Sequence, residues 1–164
     1  MQVLPPALAP LGAFRQFILY RLVPDGAKTQ KKPIDPRTLM VADPHNPESW
    51  ASFEEVAAIL PALGTSHGIG FVFTADDPFF FLDLDEAWDG NAWSPAAQQA
   101  CAELAGCAVE VSQSGRGLHI FGTGVIPPHG CDNKTLHAQF FHERRFVALT
   151  GLNAVGNALH NPGP

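Results

Sequence analysis

The seven residues Phe79-Phe80-Phe81-Leu82-Asp83-Leu84-Asp85 restrict the fold of this chain more than any other stretch. An apolar, aromatic run of this kind reads as a buried strand, and it carries acids at positions i and i+2. Side chains alternate along a strand, so Asp83 and Asp85 project from one face. Two carboxylates that close repel each other unless a cation lies between them. Hard oxygen ligands suit Mg²⁺ or Mn²⁺, and these ions in turn bind phosphates. The bland alternative is a strand end turning into solvent, with Asp85 and Glu86 as surface charge. The apolar run argues against it, because it buries the strand up to the acids.

Fifteen glycines and fifteen prolines punctuate the chain and favour many turns over a helical bundle. Further strands are expected at 14–22, 68–73, 109–112, 118–122, 135–141 and 145–150. The turn Asp76-Asp77-Pro78 makes 79–85 the expected hairpin partner of 68–73. Residues 24–47, rich in Pro, Asp, Lys and Gly, read as an extended loop. Ser52-Phe53-Glu54-Glu55 is a capping box that opens a short helix ending near Pro61. Ser94-Pro95 opens a second helix, and Gly106 stops it. Strands outnumber helices and several pairs are hairpin-like. The expected class is therefore α+β, with mixed or antiparallel sheets and a few flanking helices. The length of 164 residues suits one domain with a real core. Residues 1–155 are expected to form it, and 156–164 reads as an exit linker toward a downstream domain.

The net charge of −6 is awkward for a partner of nucleic acid, which needs positive surface. DNA binding must then rely on local basic clusters or on another domain. No apolar run approaches the ~18 residues that span a membrane. The first ten residues lack a basic leader and are broken by Pro5, Pro6 and Pro10, so no signal peptide is expected. Cys101, Cys107 and Cys131 form neither an even set nor a CxxC pattern, and read as reduced packing residues of a cytoplasmic protein.

Three more stretches carry chemistry. In Glu110-Val111-Ser112-Gln113-Ser114-Gly115-Arg116-Gly117-Leu118-His119, a small glycine-containing turn leaves backbone N–H groups free to face an anion. Ser114 and Arg116 add donors, and His119 follows on the outgoing strand. Such a turn can hold a triphosphate; it is also compatible with an ordinary hairpin and a buried histidine. Arg144-Arg145 follows a strand and suits either phosphate contact or a solvated turn. Lys28, Lys31 and Lys32 form a small basic cluster, which is either a phosphate contact or a solvated face.

Taken in order, these pieces resemble the bifunctional primase–polymerase domain of the archaeo-eukaryotic primase superfamily, of the phage and plasmid replication type. The Asp-x-Asp strand is Asp83-Leu84-Asp85, and the Ser-Gly-x-Gly-x-His turn is Ser114-Gly115-Arg116-Gly117-Leu118-His119. The closing strands are Gln139-Phe140-Phe141 and Arg145-Phe146 through Thr150-Gly151. Lys32-Pro33, Trp50-Ala51-Ser52-Phe53-Glu54 and Gly68-Ile69-Gly70-Phe71 resemble the family's flanks. The resemblance covers roughly residues 14–164 and rests on the order and spacing of the motifs together.

It implies a primase-like α+β fold and template-directed nucleotidyl transfer, as DNA primase, DNA polymerase or both. The implied cofactors are two divalent metals, Mg²⁺ or Mn²⁺, held by Asp83 and Asp85. His119 joins them as a catalytic residue. Ser114, Arg116, Lys32 and Arg145 are the implied phosphate contacts. The implied partners are a DNA template and primer, nucleoside triphosphates and a helicase domain. The chain departs from the family where Gln139 stands in place of a third carboxylate and Phe141 in place of Tyr. A neutral amide supplies no charge to a cation, and His137, two residues before Gln139, is a guessed substitute. Two other functions therefore stay open: a non-catalytic DNA- or nucleotide-binding module that recruits a helicase, and a metal-dependent nuclease.

Overall fold

The computed structural model describes residues 1, 3–26, 28–125 and 130–163. Among them the chain forms two antiparallel sheets and two α-helices, an α+β arrangement. The first sheet is built from β1 (Phe17–Asp25), β2 (Lys28–Ile34), β3 (His67–Phe73) and β9 (Arg145–Leu149), in the order β2-β1-β3-β9. The second contains β4 (Phe79–Leu84), β5 (Ala108–Val111), β6 (Leu118–Thr123), β7 (Asp132–Asn133) and β8 (Ala138–Phe141), in the order β5-β6-β4-β8-β7.

The two sheets meet through aromatic side chains. Phe17 and Phe71 from the first and Phe79, Phe81 and Phe121 from the second are fully buried in one cluster. Phe73 stacks on Phe81 and Phe121 at ring-centroid distances of 5.5 and 6.1 Å. The opposite face of the second sheet, with Phe80, Leu84, Leu118 and Ile120, packs with Ala97 of α2 (Pro95–Glu103). This explains why the run at 79–84 is apolar on both sides: it is a central strand with a layer on each face.

β3 and β4 do not form the expected hairpin; they lie in different sheets. Phe71 and Phe73 of β3 and Phe79 and Phe81 of β4 all face the core between the sheets. Strands that share a core this way pack face to face, which edge-to-edge pairing would forbid. The corner between them is held by Asp77, whose carboxylate accepts hydrogen bonds from Thr74 N, Gln16 Nε2 and Phe79 N at 2.7, 2.8 and 3.1 Å.

Residues 28–34, expected as loop, are strand β2, paired with β1 from Leu19↔Ile34 to Asp25↔Lys28. Its Lys, Gln and Pro residues lack strand propensity, but they suit an exposed edge that must not recruit another strand. The capping box at Ser52 is complete, with Glu55 N donating to Ser52 Oγ and Ser52 N donating to Glu55 Oε2. It opens α1 (Phe53–Ile59). Of the segment 156–164, Pro164 lies outside the described residues, while Asn157 bridges to Cys107 and Ala158 is fully buried. Thr123 N and Oγ1 donate to the carbonyls of His160 and Leu159, so the stretch packs on the domain as far as residue 160. No helix among the described residues is long and apolar enough to cross a membrane.

Candidate active site in the cleft between the sheets

Antiparallel pairing sets residues side by side across a sheet, and directly opposed residues share a face. In the second sheet, Glu110 opposes His119, His119 opposes Asp83, Asp83 opposes Gln139, and Gln139 opposes Asp132. One rung thus reads Glu110, His119, Asp83, Gln139, Asp132. Its central members face the first sheet at the open end of the aromatic core. There Asp83 and His119 line a cavity of about 230 Å³ with Lys31 from β2 and Arg145, Phe146, Val147 and Ala148 from β9.

Asp83 is mostly buried, and burial pushes its carboxyl pKa up; neighbouring His119, Arg145 and Lys31 pull it down, while Asp85 raises it further. Its Oδ1 is buried and accepts no hydrogen bond. His119 Nε2 lies 3.8 Å from that oxygen and Arg145 Nη2 3.9 Å from Oδ2, both beyond hydrogen-bond length. Asp83 is a buried carboxylate with positive groups around it and an unfilled oxygen. Hard oxygens in that state fit Mg²⁺ or Mn²⁺.

Asp85 comes just after β4 and is exposed. It lines an adjoining open groove of about 750 Å³, together with Glu86, Lys28, Lys31, Gln113, Ser114, Arg116 and His137. Lys31 borders both spaces. So Asp83 lines the cavity, Asp85 lines the groove with Ser114 and Arg116, and Lys31 is common to both. Lys31, and not Lys32, faces this region. His137 is a groove residue beside Asp85, and its backbone carbonyl accepts from Asp85 N at 2.8 Å.

Gln139 sits beside Asp83 in register, but its amide oxygen is taken. It accepts from Arg145 Nη2 at 2.9 Å. The Arg145 guanidinium also lies over the Phe141 ring, 4.3 Å from the centroid, and its buried Nε has no partner. Phe141 therefore serves as a platform for the guanidinium.

The glycine turn differs from the expected anion nest. Gly115 N donates to Ser112 O, Arg116 N to Ser114 Oγ and Gly117 N to Ser112 Oγ, at 2.9, 3.2 and 3.1 Å. Those three amides are spent inside the turn, and the Ser114 hydroxyl lies 3.1 Å from that of Ser112; Gln113, Ser114 and Arg116 line the groove. Gly117 is required by space: a Cβ there would meet Leu84 O at 2.6 Å and Ser112 Oγ at 2.9 Å.

Glu110, quoted in the motif but given no role by sequence, is the most enclosed acid of the site, with no exposed surface. It accepts from His119 Nδ1 at 2.9 Å, from Thr150 N and from Gly151 N at 2.7 Å. A signal for it was present. A hairpin closed by Ser112 and Gly117 sets residue 110 opposite residue 119, and an acid in an otherwise apolar strand needs such a partner.

No protein-family model matches the chain. Over 156 residues it is 30% identical to the DNA primase-polymerase of Nitratiruptor phage NrS-1, with 89% of this chain covered. That likeness supports a primase–polymerase relationship. The chain spans 20% of the length of that relative.

Proposed function

We propose that this domain performs template-directed nucleotidyl transfer, as a DNA primase, a DNA polymerase or both, in replication of a phage or plasmid. The observation that carries this is Asp83: a buried carboxylate with an unsatisfied oxygen, set among His119, Arg145 and Lys31 in a cavity between the sheets. Asp83 and Asp85 are the residues that would hold Mg²⁺ or Mn²⁺. Such an ion, when bound, neutralises triphosphate charge and favours attack by a primer hydroxyl.

The chain's own residues supply the rest. Lys31 and Arg145 flank the acids with fixed positive charge. His119 offers Nε2 to the cavity, and Ser114 and Arg116 offer side-chain donors along the groove, where the outer phosphates of a nucleoside triphosphate would lie. DNA template and primer, and a helicase acting with the domain, belong to the same proposal. The acidic net charge leaves template grip to the local cations Lys28, Lys31 and Arg116 and to any further domain.

One observation favours a second reading. The Gln139 oxygen accepts from Arg145, so the position that would carry a third acid offers no charge and an oxygen already engaged. A weakened enzyme, or a nucleotide- and DNA-binding module, fits that arrangement.

Primer-extension and de novo synthesis assays with Mg²⁺ and with Mn²⁺ decide between these. Synthesis that is lost in Asp83→Asn and in Asp85→Asn, with melting temperatures unchanged, is the expected result. Near wild-type synthesis in the double variant would overturn the proposal. Binding of triphosphate and DNA without synthesis would establish the module, and metal-dependent shortening of DNA without dNTP would establish a nuclease.

A further inference from the structure

A charged group with no solvent contact must be matched by donors, and Glu110 is matched by three kinds. Two are the adjacent backbone amides of Thr150 and Gly151, at the end of β9; the third is the imidazole of His119. The Thr150 hydroxyl adds a bond to Val111 O at 2.6 Å, which fastens the same peptide segment to β5. The carboxylate therefore cannot turn away. His119 is equally confined, 3% exposed and packed edge-on against Phe81 and Phe121.

A carboxylate that already accepts from two amides is an acceptor, so the 2.9 Å contact requires a proton on His119 Nδ1. The other nitrogen, Nε2, then points away from Glu110, toward Asp83 and the cavity. We propose that Glu110 is a positioning residue: it fixes the ring orientation and the Nδ1 proton of His119, and so presents Nε2 to the ligand that enters the cavity. This rests on the nucleotide reading only for the identity of that ligand, the cation that accompanies a triphosphate, because an Nε2 without a proton offers a lone pair and no donor.

The alternative is that Glu110 merely ties the 150–151 segment to β5. Glu110→Gln separates the two roles. Its side-chain oxygen can still accept from Gly151, while its NH₂ faces Nδ1 and drives the proton of His119 to Nε2. The test uses the intact chain labelled with ¹⁵N in histidine. In the wild type, a protonated, hydrogen-bonded Nδ1 is expected; an unprotonated Nδ1 overturns the proposal without any variant being needed.

In Glu110→Gln the proton should move to Nε2 and cover its lone pair, and binding of dATP with Mn²⁺, read by calorimetry, should weaken about tenfold, the lower end of what losing the partner of a metal-ligating histidine costs. Glu110→Asp should recover part of it. If Glu110→Gln melts lower but keeps wild-type dATP affinity and an Nδ1 proton, Glu110 is only a tie and the proposal fails. A wild type that carries the Nδ1 proton yet binds no triphosphate supports the Glu110 assignment and counts against the nucleotide reading.

Discussion

At the scale of single residues, the site is defined by which oxygens are already engaged. Asp83 Oδ1 is free and buried, whereas the Gln139 amide oxygen and both Glu110 oxygens are bound. Gln139→Glu places a second carboxylate on the rung next to Asp83, with Arg145 at hand to meet the new charge. The expected outcome is a several-fold rise in Mg²⁺-supported primer extension and little change with Mn²⁺, which tolerates nitrogen ligands and imperfect octahedra better. Because Arg145 pairs with the new acid, the melting temperature should hold. A fall in melting temperature with no gain in synthesis would show that position 139 plays no part in cation binding.

At the scale of elements, the hairpin β5–β6 depends on one tight turn. Gly117 has the Leu84 carbonyl and the Ser112 hydroxyl pressed against it, and neither is the end of a long flexible chain. Gly117→Ala should cost about 1–3 kcal/mol by urea unfolding, as overpacking does, and should also weaken triphosphate binding through a displaced Ser114. This turn was legible in sequence, as were the Asp-x-Asp strand, the capping box and the α+β class. Each is encoded locally, by alternation, a cap or a glycine. What was not legible is set by partners distant in the chain. β2 is a strand only because β1 pairs with its lysine-rich backbone. The route from β3 to β4 leads to another sheet because both strands bury phenylalanines in the same core. Lys31 lines the cavity and the groove because β2 lies along them, and that placement depends on the pairing with β1. Whether the turn's amides are free depends on where the Ser112 carbonyl and the Ser112 and Ser114 hydroxyls point, which no local pattern states.

At the scale of the whole molecule, the two sheets are reported on by Tyr20, the only tyrosine of the chain. It is buried beneath the first sheet's edge-on contact with Phe146 and over Gly68, where even a methyl group would overlap its ring. Burial, with the Glu110 charge adding to it, pushes its phenol up to about 12 from 10.0. A pKa raised by folding means the native state holds the proton more tightly than the unfolded one. The associated stability is complete below pH 10 and is lost as pH rises toward 12, by roughly 2–3 kcal/mol. Ultraviolet titration should show no tyrosinate in the native protein near pH 10.5, and its absorbance should appear together with unfolding. Ordinary ionisation near pH 10 in the folded protein would mean that the sheets do not close over Tyr20.

The tie between Glu110 and the Thr150–Gly151 amides has a consequence in time. Lys31 comes early in the chain, Asp83 in the middle, and the amides that hold Glu110 near the end. A ribosome that has delivered the Asp-x-Asp strand and the histidine has delivered an acid still without its clamp. The site is completed only when β9 emerges and closes on β3, because contacts so distant in sequence are the last to form. On the proposed reading, nucleotide binding by this domain waits for β9, and a nascent chain that has not yet released that strand has no means of engaging a triphosphate.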